Sequence, residues 1–261
     1  TGEITWEDLS NSKAIHQIRE GLCNNNFTSL ITGAIIDETA EKPDKGDYRP
    51  NVLYNSVDDR YFKRYNTAIL IDNSQNYLIK TKKRLVPFGE KIPESRLLSP
   101  IAGIFPNLAD LNFSAKEEEF PVFKSRNGLL KTNPIICYGS AFSNFVAEEV
   151  LQTQSNIITV ILNEGWMKST KAYNHFEWFS TCRAIENNRY LAKSSNEGIS
   201  SYLNNKGEKL QEINGALPGV IHVHAYLNDS ISFFTKYHVL ISYTYIVFCL
   251  IILSCSLFWK S

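Results

Sequence analysis

The sequence predicts an α/β domain followed by a C-terminal transmembrane helix. Short apolar runs rich in β-branched residues alternate with amphipathic stretches, which is the pattern of a layered α/β domain. Near its end, the chain has 21 consecutive uncharged residues, at positions 239–259. A chain of 261 residues that is 43% hydrophobic fits one large domain and an accessory segment. We therefore expect a domain over residues 1–232, and a membrane helix with interfacial flanks over residues 233–261.

The strands and helices of the domain follow from the apolar pattern. The candidate strands are residues 29–36, 66–71, 135–137, 157–162 and 189–192, followed by a hairpin of residues 199–203 and Leu210 around the turn Asn204-Asn205-Lys206-Gly207. The candidate helices are residues 11–22, 144–153 and 175–186. In the last of these, Trp178, Cys182 and Ile185 recur at i, i+4 and i+7, so we expect them in the core. Residues 36–65 and 97–127 predict surface excursions.

The C-terminal run has the length and flanks of a membrane span. At about 1.5 Å per residue, its residues cover roughly the 30 Å of a bilayer core. Aromatic residues border the run, as in interfacial belts, and one lysine lies at each end: Phe233, Phe234, Tyr237, Trp259, Lys236 and Lys260. One lysine on each side does not fix the orientation. The alternative is a buried core helix, which would rarely need so long an uncharged run.

Composition excludes several functional classes. Basic and acidic residues are equal at 27 each, so no excess of positive charge is available for nucleic acid. The five cysteines form no CxxC pair, which argues against a disulfide scaffold or a zinc ribbon. His222 and His224 alternate as on one side of a strand, but two histidines alone are poor metal ligands. We expect no metal and no cofactor, and we interpret His175 as structural.

Cys137 ends the apolar run Pro134-Ile135-Ile136, just before Tyr138 and Gly139. A cysteine in such a place is usually a small buried hydrophobic residue. The second interpretation is a nucleophile exposed by the turn that follows the strand. The run alone favours the first.

Five segments in order carry a family resemblance. They are Lys82-Lys83-Arg84-Leu85-Val86-Pro87-Phe88-Gly89-Glu90, Ile136-Cys137-Tyr138, Asn163-Glu164-Gly165-Trp166, Arg183-Ala184-Ile185-Glu186 and Ser195-Asn196-Glu197-Gly198-Ile199-Ser200. From about Trp6 to Leu210, the chain resembles the nitrilase-like domain of bacterial apolipoprotein N-acyltransferases. The resemblance implies a nitrilase-like α-β-β-α sandwich followed by a transmembrane helix.

The resemblance also implies acyl transfer through a cysteine thioester, with Cys137 as the nucleophile. Lys82 would favour the thiolate and hold the oxyanion, and Glu90 would orient groups or assist proton transfer. Tyr138 and Trp166 would line the substrate pocket. Taken alone, Lys82 is more often part of a solvated basic face, Glu90 a surface glutamate, Tyr138 structural and Trp166 a core residue.

The family further implies the partners and the location. The acyl donor would be a phospholipid and the acceptor the N-terminal diacylglyceryl-cysteine of an apolipoprotein. The protein would lie in the bacterial inner membrane with its catalytic domain on the periplasmic side.

Departures from the family pattern leave other functions open. Gly139 stands where the family usually has glutamate, and Glu164 where it has aspartate. In the family, the glutamate that acts as the catalytic base lies in a Pro-Glu-Thr-like segment before the Trp-Glu element. Here Trp6-Glu7 is too close to Thr1 for that segment to fit. We therefore expect a C-terminal fragment that has little turnover by itself. One alternative is a nitrilase-type amidase that hydrolyses carbon–nitrogen bonds. Another is a degenerate, non-catalytic module tethered to the membrane.

Overall fold

The computed structural model describes residues 4–5, 9, 12–24, 29–44, 49, 51–72, 77–87, 89–91, 113–116, 120–165, 170–215 and 218–258. The chain divides into two compact units. Unit 1 comprises Thr1–Leu129, Pro134–Gly139 and Val160–Asn163, and unit 2 comprises Leu130–Asn133, Ser140–Thr159 and Glu164–Ser261.

Unit 1 is built on a six-stranded sheet around one long antiparallel pair. Its strands are β1 (Ile4–Thr5), β2 (Ser29–Ala40), β3 (Leu53–Asn55), β4 (Arg60–Asp72), β5 (Tyr77–Thr81) and β6 (Phe113–Ser114). Strands β2 and β4 pair along twelve positions, from Ser29 opposite Asp72 to Ala40 opposite Tyr61. β3 and β5 pair antiparallel with β4, whereas β6 is parallel to β4 and β1 is parallel to β2.

Helix α1 (Lys13–Asn24) covers part of this sheet with an apolar stripe. Ile15, Ile18 and Leu22 recur at helical spacing and pack with Ile36 and Ile69 of the sheet. Burial of such side chains is worth about 1.5–3 kcal/mol each, so this cluster holds the helix in place.

The strand that leads to Cys137 also belongs to unit 1. β9 (Ile135–Ile136) is parallel to β10 (Ile158–Leu162), with Ile135 opposite Val160. A side chain on Gly33 of β2 would begin only 3.7 Å from the Ile161 side chain. Gly33 of the first sheet therefore lies against Ile161 of β10, within this unit.

Unit 2 contributes helices and an antiparallel meander. Its main elements are α2 (Ser143–Thr153), α3 (Thr170–Asn187), β11 (Leu191–Ser195), β12 (Ile199–Leu203) and β13 (Lys209–Asn214). β12 pairs antiparallel with both β11 and β13. Two further short strands are β7 (Phe123–Lys124) of unit 1 and β8 (Lys131–Thr132) of unit 2.

The C-terminal helix α4 (Phe233–Phe258) begins six residues before the uncharged run. Ser232 caps it, because its Oγ accepts a hydrogen bond from the Thr235 amide at 2.9 Å. The helix bends at Tyr237, whose φ of −117° and ψ of 16° are not helical. Residues Phe233–Cys255 have a mean hydropathy of 2.1 and are long and apolar enough to cross a membrane.

The predicted α/β elements are found, with four corrections to their bounds and surroundings. Residues 36–65 are not one surface excursion, because β2 runs to Ala40 and β4 starts at Arg60. The apolar stripe of α3 is not core: Trp178 is 71% exposed, and Ile185 and Cys182 are also exposed. His222 and His224 lie in an irregular segment rather than a strand, and His175 is exposed within α3. The predicted strand at 189–192 instead begins at Leu191 and ends at Ser195.

Candidate active site

Cys137 is the first residue of a 3₁₀ turn, Cys137–Ala141, that follows β9 directly. Its φ of +45° lies in the left-handed region, which costs a non-glycine residue about 1–2 kcal/mol. The residue is 6% exposed, so Cys137 is buried, as the apolar run alone favours, and the turn does not expose its sulfur. A strained, buried thiol at the end of a strand is a feature that clusters at functional sites.

Lys82 comes directly after β5 and is buried, with 2% exposure. The prediction that the basic run is a solvated face is therefore wrong for this residue and for Lys80, which is equally buried. A buried ammonium group needs a partner to offset its desolvation. The backbone of Lys82 is also fixed, because its amide donates to the carbonyl oxygen of Asn66 at 2.7 Å.

Glu90 is the partner of Lys82. The Lys82 Nζ donates to Glu90 Oε1 at 2.7 Å, and Asn66 Nδ2 donates to the same oxygen at 3.3 Å. The other oxygen, Oε2, accepts from the Val86 amide at 2.9 Å. The Glu90 carboxylate therefore binds two earlier residues of the same loop, Lys82 and Val86, and is not a free surface group.

Asn66 is a site residue that sequence reasoning missed. It lies within β4 and binds both members of the ion pair, one through its carbonyl and the other through its side-chain amide. In the sequence, Asn66 is recognisable only as a polar residue at the start of an otherwise apolar predicted strand. Such a residue is usually solvent-facing on a half-buried strand, so that signal does not distinguish it.

The Cys137 turn is tied at its other end by Arg183 of α3. The Arg183 Nη1 donates to the Ser140 carbonyl oxygen at 2.9 Å, and its remaining nitrogens bind Ser143 Oγ and both carboxylate oxygens of Glu186. Arginine and glutamate three residues apart on one helix suit this fork geometry. The Arg-Ala-Ile-Glu segment thus has a structural role at the turn.

The remaining predicted site residues are placed as follows. Tyr138 is half-buried in the turn next to Cys137, and Gly139 is buried in the same turn. Trp166 lies outside the described residues. Lys82, Glu90, Cys137 and Tyr138 belong to the same compact unit.

Residues 30–221 match the carbon-nitrogen hydrolase family. The chain belongs to this family. The match covers more than half of the chain and includes every predicted site residue. The predicted nitrilase-like α/β fold class is thereby confirmed.

Among curated proteins, the chain is similar to apolipoprotein N-acyltransferases. That of Rickettsia prowazekii is 30% identical over 198 residues, covering 74% of this chain and 34% of that protein. Apolipoprotein N-acyltransferase 1 of Treponema pallidum is 32% identical over 180 residues, covering 63% of this chain and 32% of that protein. The chain thus spans about a third of the length of these curated relatives.

Among solved structures, an amidase from Nesterenkonia sp. superposes with a TM-score of 0.46 and 17% sequence identity. The superposed region covers 77% of this chain and 62% of the amidase chain.

Proposed function

We propose that the chain is the catalytic part of an apolipoprotein N-acyltransferase that works through a thioester on Cys137. The observation that carries the proposal is the buried Lys82–Glu90 ion pair in the unit that also holds Cys137. A buried lysine held in one position and balanced by a carboxylate is a preorganised positive group for a thiolate or an oxyanion. The similarity to proteins named apolipoprotein N-acyltransferase supports the same conclusion.

The first half-reaction would move an acyl chain from a phospholipid to the protein. The Cys137 thiolate attacks the ester carbonyl, the carbon–oxygen bond breaks, and the lysophospholipid leaves as an alcohol after taking up a proton. Lys82 holds the charge that develops on the carbonyl oxygen, while Glu90 keeps the ammonium group in place. Tyr138 and Trp166 would contact the acyl chain.

The second half-reaction would transfer the chain to the amino group of a diacylglyceryl-cysteine at the N-terminus of an apolipoprotein. The nitrogen attacks the thioester carbonyl, the carbon–sulfur bond breaks, and the nitrogen loses a proton as the thiol is restored. Water must stay out of the site between the two steps, because it would hydrolyse the thioester. The burial of Cys137 is consistent with this need.

The membrane location belongs to the same proposal. Helix α4 would cross the bacterial inner membrane and keep the domain beside its lipid donor, on the periplasmic side. An apolar helix that is 6% buried favours a lipid substrate over the small soluble amides of an amidase.

The test is capture of the acyl-enzyme. The protein is expressed from its complete gene in membranes and incubated with a phospholipid that carries a labelled acyl chain. We expect a labelled adduct that neutral hydroxylamine removes, and its transfer to a diacylglyceryl-cysteine peptide. Cys137→Ala abolishes the adduct, whereas Cys182→Ser, which alters an exposed cysteine of α3, retains it.

Two results would contradict the proposal. A hydroxylamine-sensitive adduct on Cys137→Ala protein would place the thioester elsewhere. A wild-type protein that forms no adduct but releases ammonia from simple amides would be an amidase instead.

A further inference from the structure

The tripeptide Asn-Glu-Gly occurs twice in the chain, and the glutamate and glycine of the first copy face the second copy within unit 2. Asn163-Glu164-Gly165 follows β10, and Asn196-Glu197-Gly198 joins β11 to β12. A Cβ atom on Gly198 would lie 1.7 Å from Glu164 Oε2, and one on Gly165 would lie 2.6 Å from the Glu197 carboxylate carbon. Each glycine thus admits the glutamate of the other copy, so the two turns interlock.

Glu164 is the centre of this contact and is fully buried. Its Oε2 accepts a hydrogen bond from Ser195 Oγ at 2.6 Å, and Ser195 Oγ in turn accepts from the Gly198 amide at 2.9 Å. The Ile199 amide also donates to the Glu164 carboxyl group. One side chain of the first turn therefore binds both ends of the second.

The charges around Glu164 do not balance if every group is ionised. Lys193 Nζ is 3.1 Å from Glu177 Oε2 but 3.9 Å from Glu164 Oε2, and all three side chains are buried. Glu177 also accepts from Ser201 Oγ at 3.0 Å. Two carboxylates and one ammonium group would leave a buried negative charge, which is costly.

A proton on Glu164 removes that charge, because Glu177 is the closer partner of Lys193. Burial raises the pKa of Glu164, and repulsion from Glu177 raises it further, while Ser195, Lys193 and the Ile199 amide act in the opposite direction. The net shift of the pKa is upward. Glu197, which packs on Gly165, is a further charged group at the turns, and Lys209 of β13 interacts with Glu177.

We propose that Glu164 is a positioning residue that locks the two Asn-Glu-Gly turns together and so fixes the chain at Gly165, which directly precedes Trp166 in the sequence. The proposal rests on the proposed function, in which Trp166 contacts the acyl chain. Glu164 itself does not act on the reacting atoms. Its loss is therefore expected to weaken use of the acyl donor more than the rate of the chemical step.

The first test compares Glu164→Ala with Glu164→Gln in the whole protein. Alanine leaves the Ser195 hydroxyl and the Ile199 amide without their acceptor, and we expect the KM for the labelled phospholipid to rise about tenfold with little change in kcat. Glutamine keeps a carbonyl acceptor without a charge, so it restores the KM to within about threefold of wild type. Glu208→Ala, an exposed glutamate of the β12–β13 turn, is the control for glutamate removal.

The second test is independent of turnover. A carboxyl group with a raised pKa stabilises the fold at low pH, and this stabilisation is lost as the pH rises through the raised value. The thermal midpoint of wild-type protein is expected to fall relative to that of Glu164→Gln protein as the pH is raised above 4.5.

The outcomes separate this inference from the function. If wild-type protein forms no thioester, the proposed function fails, while the pH series still tests the neutral Glu164. If wild-type protein is active but Glu164→Ala leaves the KM unchanged, or Glu164→Gln is as impaired as Glu164→Ala, the positioning role is wrong. A pH series that is parallel for the two proteins would overturn the neutral state.

Discussion

Burying a lysine beside one carboxylate makes each residue depend on the other. Lys82 and Glu90 show this at the candidate active site, since the side chains are 1% and 16% exposed and their charged atoms are 2.7 Å apart. The pair offers a fixed positive group in a nearly dry place. It also means that neither charge is easily removed alone.

We predict that Glu90→Ala lowers the free energy of unfolding by about 3–5 kcal/mol, because it leaves the Lys82 charge buried and unbalanced. The double change Lys82→Met with Glu90→Leu is expected to cost much less than Glu90→Ala, since no charge remains. Chemical denaturation in detergent micelles measures both.

The exposed pair Lys209–Glu212 is the matched control for that measurement. Its side chains are 44% and 48% exposed, so Glu212→Ala is expected to cost about 0–1 kcal/mol. If Glu90→Ala costs no more than Glu212→Ala, the Lys82–Glu90 pair does not hold this part of unit 1 together.

Glu38 gives the opposite pH dependence from Glu164. Burial alone would raise the pKa of Glu38, but hydrogen bonds from Lys116 and Tyr65, together with the charges of Lys116 and Lys63, outweigh it and lower the pKa. The same bond to Glu38, added to burial, raises the pKa of Tyr65. A carboxyl group with a lowered pKa adds stability above its unfolded value and loses it as the pH falls.

We therefore predict that Glu38→Gln lowers the thermal midpoint at pH 7 and has little effect at pH 3. Glu41→Gln, at an exposed position just beyond β2, is the control and should leave the midpoint unchanged at both pH values. An equal effect of Glu38→Gln at pH 3 and pH 7 would show that the Lys116 and Tyr65 bonds do not depend on the charge.

The sequence could indicate Cys137, Lys82 and Glu90 because each lies in a motif of fixed spacing. It could not indicate Asn66 or Lys193, because their roles depend on which strand they face after folding. It also left Glu164 as a simple variant of aspartate. The repeated Asn-Glu-Gly was visible, but only the glycine contacts give it meaning.

At the scale of elements, the apolar runs predicted the positions of the strands and helices. The ends of the strands were not predicted where a strand continues through charged residues. The second half of β2 carries Asp37 and Glu38, which read as loop. In the structure, Arg64 of β4 binds Asp37 with two hydrogen bonds of 2.8 Å, so cross-strand pairs replace solvent. Spacing along a helix likewise did not show which face of α3 is buried, because apolar residues lie on more than one face.

Alanine substitutions at two glycines are expected to change the stability of the fold in opposite directions. Gly207, in the β12–β13 turn, has a φ of +81°, and a Cβ there would lie 2.8 Å from the side chains of Ile185 and Thr181. Gly21, inside α1, has no atom within 4 Å of an added Cβ. We predict that Gly207→Ala destabilises the fold by about 1–2 kcal/mol, whereas Gly21→Ala stabilises it by about 0.5–1 kcal/mol.

Denaturation curves of the two glycine variants give the comparison directly. Both variants add one methyl group, so the chemical change is the same at the two positions. A stabilising Gly207→Ala would mean that the left-handed turn is not required for the hairpin.

At the scale of the whole molecule, polar contacts hold the start of α4 against the rest of unit 2. Asn144 donates to Ser242 Oγ at 2.7 Å, His238 Nε2 lies 3.2 Å from Glu148 Oε2, and Thr235 Oγ1 donates to Asn187 Oδ1 at 2.9 Å. These contacts bind the first three turns of the helix to α2 and α3. Residues 243–255 are exposed and mostly apolar.

Because the exposed part of α4 is apolar, a charge introduced there is expected to weaken its insertion into a membrane. Ile246 lies near the middle of α4 and is exposed. An arginine at the centre of a spanning helix costs about 2.5–3.5 kcal/mol of insertion free energy, so Ile246→Arg should move the protein from the carbonate-resistant membrane fraction to the supernatant. Ile246→Leu keeps the apolar surface and should remain in the membrane. Because the polar contacts lie in the first three turns of the helix, before Ile246, the Arg variant should keep wild-type circular dichroism and labelling of Cys182 in detergent. If Ile246→Arg protein stays in the carbonate-resistant fraction, α4 does not span the bilayer. The proposal that α4 keeps the domain beside its lipid donor is then wrong.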